Sequence, residues 1–362
     1  MKSSRFILTV AITLAFCGTL APAQQPAPPS PSAQDQASKS SAGQTLSQDQ
    51  QQKIPPIQVT TGLVHLVATV TDRRHNFITN LEKSDFKILE DGVPQEIRYF
   101  GRETDLPLRI GLLLDTSNSI RPRLAFEQDA AIDFLSSVIR RNKDMAFLMT
   151  FDNEPEVIQD FSGDLGLLTS AIRKQRAGGG TALHDAIFKA ADKLSNPPLA
   201  PAPNPEVRRV LVVISDGDDN LSDHALSDAI EAAIRAEASI YAISTNTEWI
   251  STSTVAGEKQ ASPSDLSHKN HLGPGDKVLE KFADQSGGRV FFPYRVDDLA
   301  QSFVDIGSEL RSQYFIAYLP ANPPAVTKYR RIDVQTDRKG LIVRSRKGYF
   351  ATAPSSPPPP SD

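Results

Sequence analysis

Three segments of the sequence carry oxygen-bearing side chains that together could hold a metal ion. Residues 115–119 (DTSNS) follow the apolar run 108–114, and residues 215–219 (SDGDD) follow the apolar run 210–214. A glycine run and a threonine, residues 178–181, stand just before a segment with helical spacing. Carboxylate and hydroxyl oxygens without a set of softer ligands favour a hard cation.

The candidate ligands are two carboxylates and three hydroxyls. They are Asp115, Asp216, Ser117, Ser119 and Thr181. Magnesium prefers six oxygens and usually keeps several waters, so some of these side chains would bind it directly and others through water. Manganese or calcium would also suit an all-oxygen set. The glycines before Thr181 let the backbone approach closely and place that hydroxyl at the start of a helix.

Apolar runs and helical patterns alternate along the middle of the chain, which predicts the elements that carry these segments. Strands are predicted at 108–114, 145–151, 210–214, 239–243, 289–292 and 314–319. Helices are predicted at 125–139, 165–172, 182–194, 221–236, 274–285 and 297–311. This alternation predicts an α/β fold with a doubly wound, mainly parallel open sheet. Ligands of such sheets bind at the carboxyl ends of the strands, where the three segments would meet.

The spacing of these residues resembles a known pattern. Asp115-x-Ser117-x-Ser119, then Thr181, then Asp216-Gly217 after a buried strand is similar to the metal-ion-dependent adhesion site of von Willebrand factor type A domains. The likeness covers about residues 106–319. The wider chain resembles a type-A-related family of acidobacteria, through segments 69–92 and 346–349. The resemblance implies a Rossmann-like fold of the von Willebrand factor type A kind, with a small flanking β module.

The resemblance also implies a mechanism for this protein. The metal would keep one coordination position open, and a Glu or Asp side chain of a partner protein would fill it. The metal would then bridge two proteins, as in adhesion, without acting as a catalyst. In relatives, binding can couple to a shift of the last helix, which corresponds here to residues 297–311.

Two alternatives compete with this interpretation. Ser117 and Ser119 could simply cap the following helix, but Asp115 and Asp216 would then face each other unpaired. The chain could also be a metal-dependent hydrolase of the phosphatase type that uses Asp115 as nucleophile or ligand. That chemistry needs a general acid or a charge clamp. Neither acidic loop contains a lysine or arginine, so we expect a binding protein and no enzyme.

Other polar residues are weaker candidates. Asp218 and Asp219 could form a second cation site but are more simply solvated loop acids. His184 and Asp185 could serve hydrolysis, although polar groups are common at helix starts. His268 and His271 could clasp a metal, and Trp249 could anchor a partner. These last three lie in a polar insert, residues 246–273.

Composition and the chain ends indicate an exported protein. A basic head, an apolar stretch and Ala21-Pro22-Ala23 predict a signal peptide, and a retained anchor is the alternative. Its cleavage would remove Cys17 and leave no membrane span. The formal net charge of −4 does not favour nucleic-acid binding. We expect a periplasmic, surface-held or secreted protein of unknown oligomeric state.

The predicted organisation has six parts, and the two β segments either form one module or are unrelated additions. The parts are the signal peptide 1–23, a disordered Pro/Gln/Ser-rich linker 24–56, an N-terminal β segment 57–104, the type A domain 105–320, a C-terminal β hairpin 321–352 that packs with 57–104, and a disordered tail 353–362.

Overall fold

The computed structural model describes residues 62–102, 106–196, 207–246, 272–293, 296–322 and 328–351. The predicted signal peptide, linker and tail lie outside these residues. So does most of the insert, with Trp249, His268 and His271. Within the described residues, none of the helices combines the length and the apolar character needed to cross a membrane.

Strands and helices alternate through the middle of the chain, with shorter strands at both ends. The strands are β1 Val64–Asp72, β2 Phe86–Glu90, β3 Val93–Gln95, β4 Ile97–Gly101, β5 Leu108–Asp115, β6 Met145–Phe151, β7 Pro155–Ser162, β8 Arg208–Ser215, β9 Ala238–Ser244, β10 Arg289–Phe291, β11 Tyr314–Tyr318, β12 Tyr329–Thr336, β13 Leu341–Arg344 and β14 Gly348–Phe350. The helices are α1 Leu124–Val138, α2 Leu165–Arg173, α3 Leu183–Ser195, α4 Leu226–Arg235, α5 Pro274–Ser286 and α6 Val296–Leu310.

The central sheet has the predicted doubly wound form. Its strand order is β10-β9-β8-β5-β6-β7, and all neighbours run parallel except β7, which is antiparallel to β6. Successive side chains of β5 enter two different cores. Leu112 and Leu114 pack with α1, α2 and α6, whereas Leu113 packs with α3, α4 and α5. Because both faces are covered, the strand is apolar along most of its length. The fold-class prediction is confirmed.

The edge strand β7 was not predicted from the sequence. Its residues are half-buried or exposed, because it has a neighbour on one side only. Such a strand lacks the continuous apolar run that marks the strands of the sheet interior. The fourth helix is also shorter than predicted, since it begins at Leu226 and the prediction began at residue 221.

Two antiparallel four-stranded sheets flank the central one, with orders β13-β1-β11-β4 and β14-β12-β2-β3. The strand predicted at 314–319 as the last strand of the open sheet belongs instead to the first flanking sheet, where β11 pairs with β1 and β4. All five of its residues are buried. A continuous apolar run therefore indicates burial on both faces and does not identify the sheet.

The predicted C-terminal hairpin does not form as a pair of adjacent strands. Strands β12 and β13 lie in different sheets, where β12 pairs with β2 and β13 pairs with β1. Each of these C-terminal strands pairs with an N-terminal strand. Strand pairing thus joins the two ends of the described chain. The turn residues between the two strands predicted the reversal of the chain but not its partners.

A buried polar cluster joins the end of α6 to the first flanking sheet. The carboxylate of Glu309 is fully buried and accepts hydrogen bonds from Thr69 of β1 (3.1 Å) and Tyr241 of β9 (3.0 Å). Its other oxygen lies 2.7 Å from the guanidinium of Arg344 on β13. Because buried charges are costly without partners, these contacts fix the position of the last helix. A shift of this helix would have to separate Glu309 from all three.

Candidate functional site

Asp115 ends β5 at the carboxyl edge of the central sheet, and its side chain is fully buried. One carboxylate oxygen accepts the backbone N–H of Ser117 at 2.8 Å, and the other accepts the hydroxyl of Ser215 at 2.7 Å. Burial raises the pKa of Asp115 to about 6, and the charge of Asp216 adds to this rise. The hydrogen bonds from Ser117 and Ser215 oppose it. Asp115 is therefore an acid in an environment that disfavours an uncompensated negative charge.

A chain of hydrogen bonds joins the first acidic loop to the second. The hydroxyls of Ser117 and Ser119 lie 3.0 Å apart, and Ser119 donates to a carboxylate oxygen of Asp216 at 3.0 Å. Ser117 occupies the N-cap of a short 3-10 helix, Asn118–Ile120, but its side chain makes no capping hydrogen bond. The capping alternative therefore does not describe Ser117.

The glycine run that precedes Thr181 is held against the first loop by its backbone. The N–H of Gly178 donates to the carbonyl of Thr116 at 2.8 Å, and the N–H of Asn118 donates to the carbonyl of Gly179 at 3.2 Å. Gly179 has a φ of +81°, a conformation that side chains of L-residues rarely adopt. Thr181 itself is buried. Backbone hydrogen bonds of Gly178 and Gly179 connect the segment of Thr181 to the first acidic loop.

Three polar residues that the sequence analysis missed hold the same loops together. Asn220 accepts the backbone N–H of Thr181 at 3.0 Å, and Asn153 accepts that of Gly180 at 2.9 Å. The third is Ser215, whose hydroxyl donates to Asp115. Asn153 follows β6, so the search for polar residues after each buried strand would have found it.

A close approach of two glycines fixes the loop that carries Asp216. Gly217 has a φ of +83° and lies against the first turn of α5, where a Cβ at Gly217 would collide with the carbonyl oxygen of Gly275. A Cβ at Gly275 would in turn collide with the backbone of Asp216. Only glycine satisfies both the backbone angle and the contact at position 217.

The weaker acidic candidates of the second loop fall into two groups. Asp218 is exposed as a residue, but its carboxyl is partly desolvated. This desolvation and the charges of Asp216 and Asp276 raise its pKa. Asp219 was expected to be a solvated loop acid, but it is partly buried. Its carboxylate accepts the backbone N–H of His184 at 2.8 Å. It therefore caps α3 from another loop.

The polar residues at the start of α3 also bind this loop. Asp185 accepts the backbone N–H groups of Asp223 and His224, and it lies 2.7 Å from the imidazole Nδ1 of His224. These contacts lower the pKa of Asp185 against the opposing effect of burial. Through these contacts, Asp185 positions the loop beside the start of α3. This agrees with its interpretation as a polar group at a helix start and requires no role in hydrolysis.

The donor set of the site fits a hard cation with open coordination positions. Across the described residues, no three or more histidine, cysteine or acidic side chains are placed to hold a metal ion. A cation would thus depend on the two carboxylates, on hydroxyls and on groups from outside the chain. Magnesium accepts such a mixture of one or two carboxylates with waters. The assignment of Asp115, Ser117, Ser119, Thr181 and Asp216 as metal ligands stays a prediction.

Comparison with known families identifies the central domain. Residues 110–218 match the model of the von Willebrand factor type A domain. The matched segment runs from β5 to the loop after β8, within the doubly wound sheet. A comparison with curated proteins finds no match.

Several solved structures are similar to this chain at low identity. A von Willebrand factor type A protein from Catenulispora acidiphila is 12% identical, with 81% of this chain and 74% of that chain covered and a TM-score of 0.42. An aerotolerance-related membrane protein from Bacteroides fragilis is 15% identical, with 56% and 98% covered and a TM-score of 0.39. Proximal thread matrix protein 1 of the mussel byssus, with a zinc-occupied MIDAS motif, is 18% identical, with 60% and 50% covered and a TM-score of 0.43. At these scores the likenesses carry no argument about function.

Proposed function

We propose that this protein is an exported binding module that captures an acidic side chain of a partner protein through a divalent cation, which is magnesium or, alternatively, manganese or calcium. The observation that carries the proposal is the hydrogen-bonded chain Ser117–Ser119–Asp216 beside buried Asp115, at the carboxyl edge of the sheet. Thr181 lies in the loop tied to the same edge. When bound, the cation supplies a Lewis-acidic position that a partner carboxylate can occupy.

The residues of the site divide into an inner and an outer part. Both oxygens of Asp115 already accept hydrogen bonds and the side chain is fully buried, so we assign it contact through water. Ser119 is exposed and Asp216 is partly exposed, which places these two on the solvent side. A partner side chain could therefore reach the site from the side of Ser119 and Asp216.

The same features argue against the alternative of a phosphatase-type hydrolase. A nucleophilic carboxylate must reach a substrate with a free lone pair. Asp115 is fully buried and held by hydrogen bonds from Ser117 and Ser215, so it is poorly placed to reach a substrate. We therefore propose binding without catalysis. We also propose that the chain is exported and that it is related to the acidobacterial type-A-related group.

Metal uptake is the first test of this function. Isothermal titration with magnesium, manganese and calcium should give one site in the wild-type protein and no uptake in Asp115→Ala. Asp129→Ala is the matched control, since Asp129 is an exposed acid on α1 that pairs with Arg173. Absence of uptake by the wild-type protein would refute the proposal.

Partner capture is the second test. Immobilised protein should retain a binding partner from cell-envelope extract with magnesium and release it with chelator. Asp115→Ala should retain none, whereas Asp129→Ala should retain the wild-type amount. Equal capture with chelator would show that the metal is not the bridge, and turnover of phosphate esters abolished by Asp115→Ala would favour the hydrolase.

A further inference from the structure

A buried ion pair lies at the start of α1, a few residues after the loop of Ser117 and Ser119 in the sequence. Glu127 in the first turn is 1% exposed, and its Oε1 lies 3.8 Å from the Nε of Arg123, the N-cap residue of the same helix. Arg123 is itself mostly buried, at 15% exposure of its side chain. The pair follows directly on the loop that contains Ser117 and Ser119. It is not among the residues that the sequence analysis selected.

The polar atoms of this pair are poorly satisfied. Both carboxylate oxygens of Glu127, and the Nε and Nη1 of Arg123, are buried without a hydrogen-bond partner in the described part of the chain. A buried carboxylate without such partners is costly, and native proteins keep few of them. A residue of this kind next to a functional site therefore requires a reason.

The charges around Glu127 supply that reason. The carboxylates of Asp115 and Asp216 lie close enough to raise the pKa of Glu127, which reaches about 8 mainly because the side chain is buried. Arg123 acts in the opposite direction. The raised pKa keeps Glu127 mostly protonated at pH 7 without metal. When all three carboxylates are ionised beside the one guanidinium, the group carries a formal charge of −2, which one divalent cation would neutralise. Asp218 is exposed to solvent and is screened, so it is left out of this group.

Glu127 does not belong to the direct ligands. In the described ranges, no cluster of three or more acidic, histidine or cysteine side chains is arranged to hold a metal. Carboxylates beyond the direct ligands commonly accept hydrogen bonds from ligands or from metal-bound water, and they tune metal affinity. The two free oxygens of Glu127 are suited to that role.

We propose that Glu127 is a positioning residue for the divalent cation at the Asp115–Asp216 site, which it stabilises through bound water, and that Arg123 moderates its charge. This inference rests on the proposed metal-dependent function. It adds a buried third carboxylate to the electrostatics of the site. It also explains why a helix that starts next to the loop of Ser117 and Ser119 buries an acid in its first turn.

The test compares two substitutions that should act in opposite directions. Manganese affinity is measured by titration for the wild type, Glu127→Gln and Arg123→Gln, and each variant is first melted without metal. Glu127→Gln should weaken binding 10- to 100-fold, the range found when such outer carboxylates are removed. Arg123→Gln should tighten binding several-fold, because it removes a positive charge from the group. General damage to the fold would weaken binding in both variants.

The outcomes separate this inference from the proposed function. Wild-type protein that binds no metal overturns both. Wild-type binding with unchanged affinity in Glu127→Gln overturns the role of Glu127 alone. If Arg123→Gln does not fold, Glu127→Gln decides by itself, and weaker binding with an unaltered metal-free melting temperature supports the role.

Discussion

Replacement of Asp115 by asparagine should stabilise the metal-free protein while it abolishes the response to magnesium. Burial raises the pKa of Asp115 from its ordinary value of 3.8 to about 6. Holding this carboxylate ionised at pH 7.5 therefore costs about 3 kcal/mol, because each tenfold change in proton affinity is worth about 1.4 kcal/mol. Asparagine removes the charge but forfeits one acceptor, a loss of about 1 kcal/mol. The expected net gain is about 2 kcal/mol.

The sign of the effect depends on pH and on metal. The folded-state pKa of Asp115 is higher than the unfolded one, so ionisation destabilises the fold increasingly as the pH rises from about 4 to above 6. The advantage of Asp115→Asn should thus disappear below pH 4. With magnesium at a thousand times its dissociation constant, the wild type gains about 4 kcal/mol. The variant gains nothing, and the order of stabilities reverses.

Thermal melts at pH 7.5 with magnesium and with chelator measure both effects. A gain of about 2 kcal/mol corresponds to a rise of about 4–8 °C for a protein of this size. Asp129→Asn is the control and should leave the magnesium response intact, since Asp129 is exposed on α1 and pairs with Arg173. A metal-free Asp115→Asn that melts below the wild type, or that keeps the magnesium shift, would refute this reasoning.

Two further predictions concern residues that hold the site and the sheet. Gly217→Ala should cost about 3 kcal/mol or more and weaken magnesium binding, whereas Gly92→Ala should cost about 1 kcal/mol. Both glycines have a φ of +83°, but only Gly217 abuts the backbone of Gly275. Asp144→Asn should cost about 3 kcal/mol at pH 7, because the buried carboxylate is paired with Arg140. This pairing lowers the pKa of Asp144 against the opposing effect of burial, so the difference should fade as the pH drops below 4.

Urea unfolding of these variants supplies the free energies. Equal costs for Gly217→Ala and Gly92→Ala would contradict the proposed backbone collision. For Asp144→Asn, a difference that persists at pH 3 would show that the stabilisation comes from packing and not from the ionised pair.

The parts of the site that depend on strand ends were predictable from the sequence. Residues that follow the parallel strands of a doubly wound sheet lie at one edge of that sheet. This rule predicts from the sequence that the loops of Asp115 and Asp216 meet. The rule gives no information about burial or hydrogen bonds. It therefore missed Glu127, whose place on a helix looks like an ordinary amphipathic position, and it missed the support that Asn220 gives to Thr181.

The partners of the flanking strands were the least predictable feature of the fold. An apolar run such as Tyr314–Tyr318 is equally compatible with a parallel core strand and an antiparallel strand covered on both faces. The short β12 and β13 segments suggested a hairpin because they are neighbours in sequence. In the fold, β13 pairs with β1 and β12 pairs with β2, so each has a partner from the other end of the described chain. Such long-range pairing leaves no local signature.

The burial of Glu309 has a practical consequence for the expression of the central domain alone. A fragment cut at the sequence-derived limits 105 and 320 would retain β11 but would lose β1 and β4, the two strands that flank it. It would also retain the Glu309 carboxylate without Thr69 and Arg344. Excision at those limits would expose an apolar strand and leave an internal charge without two of its partners, so a stable fragment must also contain β1, β4 and β13.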